Sequence, residues 1–255
     1  HSQDNPSAGT LGDIGSVQDA IDARGFEQAD SNVSDGGAND INAIFGVNSA
    51  DGRGNITAYL GYRDINAVLQ RDRDFSACAL DSANGITCGG SATSPTGLFS
   101  PFDGVNYYTV EGNNFVFGVP RYNYGPLNHF QRPDERYTAG LFGHYEFNEH
   151  LDAYTEFQFM DDRSLAQIAP SGAFFVTSSI NCDNPFLSAQ QLGVLACAPG
   201  TSVPWYIGRR NVEGGPRFDD LRHTSYRILG GVKGDITDDW SYDAFANFSR
   251  MIRSQ

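Results

Sequence analysis

No stretch of this chain approaches the roughly 18 consecutive apolar residues of a membrane-crossing helix. A helical span is therefore excluded on length, whereas a spanning β-barrel is not. Basic residues are scarce: 17 Lys and Arg stand against 31 Asp and Glu, a formal charge of -14 with a sequence pI near 4.5. Only Arg209-Arg210 forms a basic doublet. Phosphate backbones and anionic membrane surfaces are held by clustered cations, so nucleic acid is excluded as a partner, as is a purely electrostatic membrane contact.

Motifs of catalysis and metal binding are also missing. His129, His144, His150 and His223 lack H-E-x-x-H spacing, no G-x-S-x-G elbow is present, and Gly89-Gly90 and Gly214-Gly215 lack the context of a phosphate loop. Of the acidic doublets, Asp161-Asp162 and Asp219-Asp220 send adjacent side chains to opposite faces if they lie in strands, and Asp238-Asp239 has turn chemistry. Nothing here assembles an acid/base pair, so the chain is read as a non-enzyme without a cofactor. Calcium in the loops is the one metal considered, through Asp72, Asp74 and Asp81, although the spacing is not that of an EF-hand. The chain opens His1-Ser2-Gln3 with no initiator Met, basic n-region or apolar h-region. It closes within a strand pattern, and an internal segment of a larger protein is expected.

What is present is a foldable composition, with 40% hydrophobic and 13% aromatic residues, too rich for a disordered chain. The four cysteines fall as two local pairs, Cys78 with Cys88 and Cys182 with Cys197, in loops of Gly, Ser, Asn and Pro. Their even number and polar setting point to disulfides and an oxidising compartment. Four cysteines allow three connectivities, and free cytosolic thiols are the competing account.

Residues 1–40 are polar and Gly-rich, an exposed loop or strand-connecting segment in which Val17 to Phe26 can form a short helix. From residue 41 the period becomes 2. Ile41, Ala43, Phe45 and Val47 alternate with polar residues, Ser49-Ala50-Asp51-Gly52 supplies a turn, and Ile56, Ala58, Leu60 and Tyr62 continue on the return strand. That turn pairs Phe45 with Ile56 and Ala43 with Ala58. The construction recurs twice. Tyr137 to Phe147 returns as Leu151 to Phe159 through Asn148-Glu149-His150, and Tyr226 to Ile236 returns as Trp240 to Phe248 through Thr237-Asp238-Asp239. Strands are expected at about 41–48, 53–69, 136–147, 151–166, 223–236 and 240–251, with long loops at about 70–135 and 167–222. Tyr107 to Val110 and Phe115 to Val119 can add a hairpin to the first loop.

Short turns alternating with very long connections are unusual in a compact soluble domain and usual in bacterial outer-membrane barrels. The second face of the strands carries His144, Glu146, Asp152, Glu156, Gln158, Lys233, Asp243 and Asn247, which suit a polar lumen. The fold class is therefore all-β: an antiparallel up-and-down transmembrane barrel segment with short periplasmic turns and long extracellular loops. A water-facing sheet has the same alternation, so a secreted β-rich glycan- or calcium-binding or structural protein is the alternative.

The runs Asp51-Gly52-Arg53-Gly54-Asn55-Ile56-Thr57-Ala58-Tyr59, Val68-Leu69-Gln70-Arg71-Asp72-Arg73-Asp74-Phe75-Ser76-Ala77-Cys78 and Gln131-Arg132-Pro133-Asp134-Glu135-Arg136-Tyr137 carry a resemblance, continued by Met160-Asp161-Asp162-Arg163 and Asn181-Cys182-Asp183-Asn184-Pro185. From about residue 40 onward the chain resembles the barrel of TonB-dependent outer-membrane receptors of Gram-negative bacteria. The resemblance implies a barrel of about 22 strands with a plug. It also implies import of a scarce nutrient of the siderophore, cobalamin or glycan class, with energy delivered by a coupling protein through the plug. Neither plug nor coupling segment is recognisable in these residues. The partners implied are outer-membrane lipid, a small nutrient ligand and the coupling protein.

Among the loop aromatics, which also include Phe99 and Phe102, the ligand-contact candidates are Tyr107, Tyr108, Tyr122, Tyr124, Trp205 and Tyr206, joined by Arg121, Arg209 and Arg210. Rings give large contact area at small entropic cost, on a sugar or a planar ligand. Packing of the loops against one another is the favoured use of the same side chains.

Overall fold

The computed structural model describes residues 2–4, 19, 21–23, 25–27, 29–30, 32–81 and 87–255. Its main strands in chain order are β1 (Ala38–Asn48), β2 (Gly54–Ile65), β3 (Leu98–Ser100), β4 (Tyr108–Glu111), β5 (Asn114–Phe117), β6 (Asp134–Asn148), β7 (Leu151–Ile168), β8 (Gly172–Asn181), β9 (Ser202–Arg210), β10 (Arg217–Thr237) and β11 (Trp240–Ser254), with helix α1 (Ala189–Leu195) between β8 and β9. The protein is mostly antiparallel β. Six strands form one sheet in the order β11-β10-β7-β6-β2-β1, so each strand neighbours those next to it in the up-and-down path. The sheet is open, and β1 and β11 are its edges. At about 3.4 Å per residue, the 18 residues of β7 and the 21 of β10 reach about 60 and 70 Å.

The hairpin tips set the registers. In the first, Ser49 rather than Asn48 closes the loop: its N–H donates to the Gly54 carbonyl at 2.8 Å, and its hydroxyl accepts from the Gly54 N–H at 2.8 Å. The loop is Ala50 to Arg53, with Gly52 at φ +73°, a conformation suited to glycine. Phe45 therefore faces Ala58 and Ala43 faces Leu60, a correction of two residues to the expected partners. A two-residue slip leaves every side chain on its expected face. In the other two hairpins the body register is the expected one, with Tyr145 facing Ala153 and Asp235 facing Ser241. Their tips are two-residue turns, Glu149-His150 and Asp238-Asp239, each preceded by an irregularity at Phe147 or Ile236 that absorbs the third residue expected in the loop.

The long connections are folded, which corrects the expected loops at 70–135 and 167–222. From the first come β3, β4 and β5; from the second come β8, α1 and β9. They join in a five-stranded sheet of order β5-β4-β3-β9-β8, stitched where Ile207 faces Phe99 and Gly208 faces Leu98. The expected hairpin is present, with Phe115 facing Val110. One face of this cap carries a core of Phe115, Ile180, Leu195 and Trp205, surrounded by Phe99, Val110, Val194, Val203 and Ile207. Helix α1 begins with a capping box between Ser188 and Gln191. Its Gln190 side chain accepts from the Phe115 N–H and donates to the Phe115 carbonyl, both at 2.9 Å, and so closes the β5 edge.

Both expected disulfides are formed, Cys78–Cys88 and Cys182–Cys197. The expected helix over Val17 to Phe26 lies partly outside the described residues. Within them, the Ala23 N–H donates to the Asp19 carbonyl at 2.9 Å. Ile21 is buried beside Ala77, Cys78 and Cys88 with Phe26 packed against them, while Asp19, Asp22, Ala23, Gly25 and Glu27 are exposed. Nearby, Asp35 receives two bonds from the buried Arg73 guanidinium, at 2.6 and 3.0 Å. Those bonds hold the Asp35 carboxyl below its ordinary value of 3.8. A depressed carboxyl stabilises the fold above its unfolded value, and that contribution is lost as pH falls through the folded one. Asp35→Asn is expected to weaken this contact by about 2 kcal/mol at pH 7, because the buried Arg73 exchanges two charge-assisted bonds for neutral ones. Hydrogen exchange over residues 73–77 checks it: the parent loses protection as pH falls below the ordinary carboxyl value of 3.8, and the variant shows no such step.

Candidate functional site

Two surfaces merit attention, the faces of the six-stranded sheet and the outer face of the cap. On the first face of the sheet, register lines up apolar rows across all six strands. Phe45, Ala58, Leu141, Phe157, Ile228 and Phe248 form one row, and Val47, Ile56, Gly143, Thr155, Gly230 and Ala246 form the next. These side chains are not covered: Phe45 is 64% exposed, Ile228 49% and Phe248 59%. Aromatic rings mark both margins of the band. At one, the rings of Tyr62 and Tyr137 meet at 5.0 Å; at the other, Tyr145 and Phe147 meet at 4.9 Å, with Trp240 and Tyr242 alongside. From Tyr137 to Tyr145 the band spans about 27 Å along the strand.

Polar chemistry gathers at the margins. In the Tyr62–Tyr137 row itself, Asp161 accepts from Arg222 at 2.8 Å and from Thr224 at 2.5 Å, and beyond it Arg163 pairs with Asp220 at 2.6 Å. Beyond the other margin, Tyr145 donates to Asp51 at 2.7 Å and Tyr242 donates to the His150 carbonyl at 2.7 Å. In the turn between β1 and β2, the Ser49 hydroxyl, the Tyr145 hydroxyl and the Arg53 N–H groups hold the Asp51 carboxyl well below the usual carboxylate range.

The opposite face is charged and internally paired. Arg63 bonds Asp134 at 2.5 Å, Arg136 bonds Asp162 at 2.7 Å, Arg227 bonds Glu156 at 2.7 Å and Tyr154 donates to Asp243 at 2.6 Å. The doublet Asp161-Asp162 thus divides between the two faces, as alternation requires. Aromatic rings fill the gaps glycine leaves: the Tyr59 ring covers Gly140 and the Tyr154 ring covers Gly231. Apolar exposure on this face concentrates on the edge strands, at Ile44 of β1 and at Phe245 and Met251 of β11.

In the cap, the structure separates the candidate ligand contacts into three groups. Trp205 and Arg210 are interior, a correction to their reading as contacts. Trp205 stacks on Phe115 in the core, with Tyr108 against both rings. Arg210 donates to the carbonyls of Pro170 at 2.8 Å and Thr93 at 3.3 Å, and lies about 5 Å from the rings of Tyr122 and Phe174. Burial lowers the Arg210 guanidinium and raises the Tyr122 phenol from their ordinary values. Three others sit at the margins. Arg209 pairs with Glu213, Arg121 donates to the Gly90 carbonyl at 3.4 Å, and Tyr124 precedes the short helical turn Gly125–Leu127.

Tyr206 and Tyr107 remain, and they lie together. Trp205 faces the cap core, so Tyr206 points to the other side, where its ring centroid is 4.0 Å from Phe102 and 4.9 Å from Phe175; Tyr107 lies 6.2 Å beyond Phe175. Phe102 comes from the first connection and Phe175 from an irregularity in β8, so the cluster exists only when both connections are joined. Phe175 is a contact that sequence reading missed. Only its neighbour Phe174 hints at it, since a doublet breaks the strand alternation.

Asp72 accepts from the Leu69 N–H at 3.2 Å. Among the described residues, no group of three or more His, Cys, Asp or Glu side chains is placed to hold a metal ion. No helix among the described residues is long and apolar enough to cross a membrane. Comparison with known protein families, curated proteins and solved structures gives no match to this chain.

Proposed function

We propose that this chain is part of an outer-membrane receptor of the TonB-dependent kind, whose six long strands stand in the lipid bilayer and whose cap faces outward to capture a scarce nutrient. One observation carries the reading: an uncovered apolar band about 27 Å long, bounded on both sides by aromatic rings, on a sheet whose other face is filled with paired charges. A bilayer-spanning barrel wall needs such a band, about 25 Å tall with aromatic girdles, and a polar interior. Water gives no reason for six adjacent strands to leave Phe, Ile and Leu side chains exposed at one common height. The remaining strands, the plug and contact with an energy-coupling protein belong to the same proposal, as do the bacterial outer membrane as location and the absence of catalysis.

Alkaline carbonate extraction of membranes from cells making the native protein tests the reading. The protein should stay in the pellet and be released only by detergent. Release into the aqueous phase would overturn the receptor proposal and favour a secreted β-rich binding protein.

A further inference from the structure

Three residues with side chains hold a left-handed backbone among the described residues: Phe102 at φ +63°, Phe175 at +55° and Ala196 at +51°. Ala196 ends α1, where that conformation satisfies the last carbonyls. The two phenylalanines have no such account. A left-handed backbone is unfavourable for any residue with a Cβ, and bulky residues seldom adopt it. Both bring a ring against Tyr206, one from each side. Phe175 is largely covered, whereas 38% of Phe102 stays exposed on the outer face of the cap, so part of its ring is open to a ligand. Strained backbones of this kind cluster at ligand clamps.

The rim of this cluster narrows the chemistry. Asp103, next to Phe102, accepts from the backbone N–H groups of Val105 at 2.9 Å and Asn106 at 2.8 Å. The Asn106 side-chain amide donates to its other oxygen, and these three bonds, that from the Asn106 N–H foremost, keep its carboxyl below the ordinary value, so it remains an ionised acceptor. A carboxylate has about four acceptor positions, which leaves capacity for a further donor. The cationic neighbours are committed elsewhere: Arg209 pairs with Glu213 and Arg210 is buried. A flat apolar ring beside a hydroxyl acceptor suits a neutral ligand with C–H groups on its face and O–H groups at its edge, which describes a pyranose.

We propose that Phe102, Tyr206 and Phe175 form a carbohydrate platform on which a pyranose ring lies against Phe102, its hydroxyls donating to Asp103. The assignment deepens the receptor reading and rests on it, since it names the class of nutrient the cap would capture.

The test uses the native protein in detergent, with maltohexaose, xylohexaose and chitohexaose as probes and indole as a planar non-sugar control. Saturation-transfer NMR should detect at least one oligosaccharide, with transfer to the sugar C–H protons. Phe102→Gly and Phe102→Asn both accept a positive φ, so each removes the ring without imposing strain. Both should weaken binding at least tenfold while the melting temperature stays within about 2 °C of the parent. Asp103→Ala should weaken it as well. Absence of oligosaccharide binding, binding of indole alone, binding indifferent to Phe102, or a large fall in melting temperature in both Phe102 variants would each overturn the platform. Retention in the carbonate pellet is read separately, so a failed sugar assignment is distinguishable from a failed receptor reading.

Discussion

Ile228→Arg is expected to cost about 2–4 kcal/mol when the protein folds into lipid vesicles, and no more than about 0.5 kcal/mol if the same face is bathed in water. Ile228 is the suitable probe because it lies in the middle row of the band on β10, half exposed, with Phe157 and Phe248 as its register partners. A guanidinium there cannot reach either polar margin without crossing other apolar rows. Ser249→Glu provides the control. It lies on the opposite face, facing Arg227 across β10 and β11, and should change stability by less than about 0.5 kcal/mol. Urea titration of vesicle-folded protein measures both. Equal and small costs for the two variants would remove the bilayer from the account of this sheet.

Asn123→Ala is expected to lower the stability of the first connection by about 3 kcal/mol. Asn123 has no exposed surface, and its amide makes three hydrogen bonds to backbone groups. The Nδ2 group donates to the Ala77 carbonyl at 2.9 Å, and the Oδ1 atom accepts from the N–H groups of Ala79 at 3.0 Å and Gly125 at 3.3 Å. Truncation leaves three buried backbone groups unpaired, each costing about 1 kcal/mol or more. Asp fails as a replacement because a carboxylate cannot donate to the Ala77 carbonyl. Since Ala77 and Ala79 flank Cys78, the loss has a local readout. Reduction of Cys78–Cys88 by dithiothreitol should speed up about a hundredfold, while Cys182–Cys197 in the second connection keeps its parent rate. Parallel acceleration of both disulfides would mean that the two connections open as one unit.

The parts of this structure legible in its sequence are those with a strong local period. Leu141 meets Phe157, and Ile228 meets Phe248, because alternation fixes the face and a short turn fixes the register. The first tip was misplaced for a reason alternation cannot carry: the Ser49 side chain, by accepting from Gly54, moves the loop one residue along. The cap was hidden more deeply. Strand β3 has three residues and pairs with β9, more than a hundred residues later, so no window of sequence contains both partners. The same distance explains the candidate site. Tyr206 was visible as a loop aromatic, but its two flanking rings come from separate connections, and Phe175 owes its orientation to a strand irregularity without a local signature. Arg210 reads as a ligand contact in the sequence because the carbonyls that absorb it, of Pro170 and Thr93, lie 40 and 117 residues away and meet it only in the folded chain.

The pairing of β3 with β9 also imposes an order of events. Each sheet hairpin closes on neighbours two to four residues away, and Cys78 and Cys88, ten positions apart, can be clipped together as soon as they meet an oxidant. The β3 edge, by contrast, must wait until β9 has emerged and the intervening hairpin of β6 and β7 has brought the ends near. Until then Phe99 and Phe115 have no Trp205 to pack against. During that interval the first connection is an uncovered apolar segment ahead of its partner, the kind of species on which a chaperone holdase acts. Maturation of the cap is thereby tied to completion of the second connection, and a chain interrupted anywhere before Ser202 would expose a surface for quality control to detect.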